Sequence, residues 1–181
     1  RSAIPSLTEN PWSDEAAFWE GELALALGLP SEAERAYRRI GGTDAALKAA
    51  ALLRIAGIYQ ERHGLPEAHA ATLEAVRLAK GRIPGPPWIP AAEPERQMEL
   101  LSQLWRQEDK PERALDLESI LQASAFSPAA QVEHYLHAAQ IHEQWAERLA
   151  KEPVRARAEF RKAGLCYLGP VDAGIPAPYA Q

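Results

Sequence analysis

Residues 47–79, LKAAALLRIAGIYQERHGLPEAHAATLEAVRLA, leave the chain few ways to fold. Leu52, Ile55, Ala56 and Tyr59 recur at i, i+3, i+4 and i+7, which places them on one face of a helix. A second stripe, Ala68, Ala71, Thr72, Ala75, Leu78 and Ala79, follows the break His63-Gly64-Leu65-Pro66. Gly64 is expected to take the left-handed conformation that ends one helix, and Pro66 suits the first turn of the next. Two amphipathic helices joined by so short a break must lie side by side, each covering the other's apolar stripe.

The plan repeats along the chain. Ser13 is expected to cap a helix from about Asp14 to Leu27 that carries Ala17, Phe18 and Leu25. After Gly28-Leu29-Pro30, Ser31 with Glu34 three residues on reads as a capping box, and Ala33, Tyr37 and Ile40 form the next stripe. Gly41-Gly42 ends that helix, and Thr43 is expected to cap the central hairpin. Met98, Leu101, Ser102 and Trp105 repeat the order of Leu52, Ile55, Ala56 and Tyr59; Ala114, Leu117 and Leu121 lead the return helix. Ser127-Pro128 opens a long helix from about Ala129 to Lys151, and Pro153 opens a last one with Ala156, Phe160 and Ala163.

These residues resemble the tetratricopeptide repeat, whose first helix carries a bulky residue, then Leu and a small residue, then Tyr, and whose second carries Ala, an aromatic and Ala. Leu52, Ile55-Ala56 and Tyr59 match the first helix; Ala68 and Ala75 match the second, with Thr72 where an aromatic is usual. Ala33 to Ala68 is a step of 35 residues, close to that family's period of ~34. The resemblance implies an all-α, right-handed solenoid of about four antiparallel hairpins over residues 14–168. An extended arm (1–13) precedes it and a Pro-rich tail (169–181) follows. The run GRIPGPPWIPAAEP at 81–94 interrupts the repeat, because its five prolines exclude regular helix. Trp88 within it is expected to tuck against a helix; contact with a partner is the alternative. In the tail, Val171, Ile175 and Tyr179 are expected to bury against the last hairpin or a neighbouring chain.

Composition narrows the work such a fold can do. A net charge of -5 gives no overall attraction to nucleic acid. The local excess of basic residues near Arg148, Lys151, Arg155, Arg157, Arg161 and Lys162 lacks the interleaved aromatics of a nucleic-acid surface. No apolar run approaches the ~20 residues that a membrane span needs. One cysteine, Cys166, excludes an internal disulfide and leaves cytoplasmic and exported locations both open. A first residue of Arg1 suggests a processed or cut chain. Gly-rich phosphate loops, zinc-protease motifs and nucleophile elbows are lacking, so no enzyme activity and no cofactor are expected. His134 and His137 stand at i, i+3 and could share a metal, but His142 is rotated away and no cysteine assists. They are expected to lie on a surface or line a groove, with no metal. A helical enzyme or metal-binding domain is the outlying alternative.

The resemblance implies binding of a protein or peptide on the concave face, where outward positions of the first helices lie. These are Leu53, Gly57 and Gln60 in the second repeat, and Arg96, Glu99, Gln103 and Arg106 in the third. Members that grip a terminal carboxylate use Lys and Asn at such places; Leu53 and Gly57 supply neither, so that activity is not implied. The competing reading is a structural subunit of a larger complex, tethered by its Pro-rich ends.

Overall fold

The computed structural model describes residues 11–84, 87–90, 92–125 and 127–174. They form eight helices and no strand: α1 (Pro11–Ala26), α2 (Pro30–Arg38), α3 (Ala45–Glu61), α4 (Leu65–Leu78), α5 (Ala92–Gln107), α6 (Pro111–Ser124), α7 (Pro128–Arg148) and α8 (Pro153–Asp172). Within each unit neighbours in sequence pack together as the stripes require, α1 with α2 and α3 with α4 in the first, and α7 with α6 and α8 in the second. The chain divides into two compact units, one ending at Pro94 and the other beginning at Glu95.

Helix ends follow local chemistry more closely than residue preference alone. Four helices end in the same double hydrogen bond, closed for α3 by Gly64 N–H donating to Tyr59 O at 2.8 Å and His63 N–H to Gln60 O at 3.1 Å. The left-handed residue there is His63, with φ 59. Gly64 instead has φ -82 and is the residue before α4, so the expected left-handed glycine is displaced by one position. Lys80 and Asp109 take the same conformation at the ends of α4 and α5, whereas Gly28 after α1 and Gly174 after α8 are the usual glycines. Each non-glycine in that region is strained by about 1–2 kcal/mol.

Caps depart from expectation in three places. Pro11 is itself the first residue of α1, so Ser13 lies inside the helix. Asp44 and not Thr43 caps α3, accepting from the N–H groups of Ala46 at 2.8 Å and Leu47 at 3.1 Å. The capping box at Ser31 does not form, because Pro30 already starts α2. Ser31 Oγ accepts from Arg62 Nη2 at 2.9 Å, and Glu34 accepts from Tyr59 and Arg62, tying α2 to α3. Ser127 does cap α7, through Ala130 N–H.

Proline also bounds the irregular segments less tightly than expected. Pro94 falls in the first turn of α5, where the missing N–H would have no partner anyway, so the crossing ends before 94. Pro170 lies near the end of α8, buried, and that helix continues four residues past the expected boundary at Leu168. Val171, expected to be covered, is 63% exposed; Ile175 and Tyr179 lie outside the described residues, as do residues 1–10.

The first unit is built around α3, which is apolar on nearly every side and buried accordingly. It packs on α4, α2 and α1. Phe18 fills the space between Tyr37 (ring centroids 5.6 Å) and Trp88 (5.5 Å), which pins the crossing segment as expected. Gly21 lets α1 and α2 close together: a Cβ there would overlap the Tyr37 ring. Tyr37 hydroxyl donates to Glu22 at 2.6 Å. Arg54 grips both Glu22 oxygens at 2.7 and 3.0 Å and also reaches Glu93. In the second unit Met98, Leu101, Leu117, Leu121 and Ile141 are buried, and α7 packs against both α6 and α8.

Candidate functional site

The polar stripe of α5 opens onto a cleft of about 380 Å³ in the second unit. Arg96, Glu99, Gln103 and Arg106 form one wall, as their i, i+3, i+7, i+10 spacing predicts. Glu133 and His137 from α7 stand opposite, and Ser102 and Glu118 make the floor. At the rim Arg106 Nη2 donates to Gln144 Oε1 at 3.4 Å, while Arg148 pairs with Asp109.

The remaining expected ligand positions do not join this cleft. Leu53 and Gln60 are buried in α3, so the expectation of outward, ligand-facing positions is wrong for them. Their helix carries hardly any polar residue except Lys48 and Arg54 before its last turn, and such a helix has no solvent face. Gly57 is half-buried on the same helix, and Trp88 is half-buried against Phe18 in the first unit.

Beneath the cleft lies a polar cluster that periodicity alone does not reveal. Glu118 is 4% and His134 2% exposed. Ser102 Oγ donates to Glu118 Oε1 at 2.7 Å. The other oxygen, Oε2, faces His134 Nδ1 at 3.3 Å and His137 Nδ1 at 3.8 Å. His134 Nε2 lies 3.6 Å from Glu95 Oε1. Burial works to lower the His134 pKa, but the Glu118 and Glu95 carboxylates outweigh it and hold the pKa above the ordinary histidine value. Glu99 is raised, by burial first, and although His134 pulls it down, the neighbouring carboxylates of Glu95, Glu133 and Glu118 add to the rise. His134 is thus an interior residue, against the expected surface role, whereas His137 does line the groove.

Glu118 could have been noticed in the sequence. It stands four residues after Ala114, as Tyr37 stands after Ala33 and Thr72 after Ala68, so it occupies an interior position between paired helices. His142 serves a separate pair: its Nδ1 lies 2.8 Å from Glu159 Oε2, and Lys162 also reaches Glu159 at 2.7 Å. Phe160, expected at the inward aromatic position of α8, is 50% exposed, and Glu159 takes the interior instead. Cys166 is half-buried, and burial raises its thiol pKa. Among the described residues no helix is long and apolar enough to cross a membrane.

Stacked antiparallel hairpins, joined by tight turns and carrying small residues at their contacts, define an all-α helical-repeat protein of the tetratricopeptide-like class. The crystal structure of MamA, a helical protein of that class, is similar to this chain with a TM-score of 0.52. The likeness covers 92% of this chain and 85% of that one at 15% identity, and it is one of fold. No protein-family model matches the sequence, and no curated protein matches it.

Proposed function

We propose that this chain is a non-catalytic interaction module of the tetratricopeptide-repeat type, which takes a peptide segment of a partner protein into the α5–α7 cleft. The observation that carries this reading is the convergence of Arg96, Glu99, Gln103 and Arg106 on one open cleft. Two guanidinium groups suit acidic side chains or a terminal carboxylate. Glu99 and Glu133 suit a basic side chain, and the Gln103 amide can both donate to and accept from a peptide backbone. A volume of about 380 Å³ lies near the lower end of ligand pockets and fits a few side chains of an extended segment better than a folded face.

A second reading, an assembly subunit, is favoured by α8. Phe160, Tyr167 and Val171 form an exposed stripe at i, i+7 and i+11. An exposed apolar stripe on one helix face suits a protein contact, here a helical element contributed by an assembly partner. One experiment separates the two readings. The partner recovered by affinity capture is tested against the Arg96→Glu/Arg106→Glu variant and against Phe160→Asp, each checked for an unchanged melting curve. Loss on the arginine variant supports the cleft. Full retention there, with loss on Phe160→Asp, overturns the cleft in favour of the subunit.

A further inference from the structure

We propose that Glu118, His134 and His137 form a binding site for one divalent transition-metal ion, zinc by preference. The three side chains come from two helices, and each offers one donor atom, all within 4.8 Å of one another. Two ligands of a tetrahedral ion bound at about 2.0–2.1 Å stand about 3.3–3.4 Å apart. Glu118 Oε2 lies 3.3 Å from His134 Nδ1 and 3.8 Å from His137 Nδ1, close to that separation.

The competing explanation is an internal ion pair: His134 Nδ1 stands at a long hydrogen-bond distance, 3.3 Å, from Glu118 Oε2, but that pair leaves the approach of His137 to the same oxygen unexplained. Charge-assisted N–H···O bonds are about 2.7–2.9 Å long. The same unit contains such a pair, His142 with Glu159 at 2.8 Å. Two imidazole nitrogens converging on one carboxylate oxygen at longer range are spaced as co-ligands are. Geometry on the far sides of the ligands agrees. Ser102 Oγ bonds Glu118 Oε1 and so turns Oε2 toward the histidines. Glu95 faces the His134 nitrogen that points away from the cluster. A carboxylate behind a histidine fixes the ring and raises its basicity toward a metal. His137 is 35% exposed and lines the cleft, which supplies an entry path and a fourth position for water. Two imidazoles and one carboxylate suit zinc and its neighbours better than magnesium or calcium, which prefer oxygen alone.

The test uses the full chain, stripped with a chelator and titrated with zinc chloride by isothermal calorimetry, with cobalt(II) absorption as a second readout. One ion per chain is expected. His137→Ala, at a half-exposed position, and Glu118→Gln should each weaken binding by more than the 10–100-fold that loss of a supporting group costs. Glu95→Gln should weaken it within that range. Absence of saturable one-to-one binding overturns the site. So does unchanged affinity in His137→Ala with an intact circular dichroism spectrum, because the ion would then lie elsewhere.

Discussion

Replacing Gly21 and Gly164 by alanine should shift stability in opposite directions, although both glycines lie inside helices. In a helix interior Gly→Ala ordinarily stabilises by about 1 kcal/mol. Gly164 meets that condition: it is exposed on α8, and an added Cβ would have nothing within 4 Å. At Gly21 the added methyl would enter the Tyr37 ring. That ring cannot easily yield, since it is buried, packs on Phe18 and donates to Glu22 at 2.6 Å. Overpacking of this kind costs about 1–3 kcal/mol, and displacing the hydroxyl costs about 1 more. Subtracting the helix gain leaves Gly21→Ala less stable by roughly 1–3 kcal/mol. For a chain of this size that is a fall in Tm of roughly 2–12 °C, against a rise of about 2–4 °C for Gly164→Ala. Thermal and urea unfolding followed by circular dichroism would measure both. A Gly21→Ala protein as stable as the parent, or more so, would refute the close approach of α1 and α2.

Two other outcomes follow from the caps and from α8. Asp44→Ala should cost about 1 kcal/mol in urea denaturation because Asp44 holds two N–H groups of α3, whereas Thr43→Ala should stay within about 0.5 kcal/mol; equal effects would mean the cap is misassigned. Burial tends to raise the Glu159 pKa, but the bonds from Lys162 and His142 outweigh it and leave it below the ordinary carboxylate value. Its stabilising contribution is therefore present above the unfolded-state value and lost as pH falls through the folded one. Glu159→Gln should cost about 1–2 kcal/mol at pH 7, and its gap to the parent should close as the pH drops below about 4; a constant gap would refute the linkage.

Helical period and turn chemistry made the hairpins readable because they depend on neighbours in sequence. The ends were harder. Asp44 and Thr43, like His63 and Gly64, are adjacent candidates with similar preferences, and only the hydrogen bonds choose between them. The ligand-facing positions divided for a different reason. α5 alternates polar and apolar faces, so its outward stripe could be drawn from spacing. α3 is covered by three other helices, and nothing in the spacing of Leu53 and Gln60 says which of its neighbours does the covering. The polar cluster needed tertiary structure, because Ser102, Glu118 and His134 are separated by sixteen residues at each step and touch only across helices.

The same interior position recurs in each return helix, four residues after an alanine, and its occupants differ in kind. Tyr37 fills it against Gly21. Thr72 fills it with its hydroxyl turned back to Ala68 O at 2.9 Å. In α8 Phe160 rotates out of it and leaves Glu159 inside. In α6 Glu118 places a carboxylate there, at a desolvation cost that is recovered only where its oxygens find good partners. A core that needed only to close would favour an apolar side chain of similar volume. Keeping Glu118, with Ser102 and two histidines arranged around it, is better explained by something the cluster holds than by the stability of the hairpin.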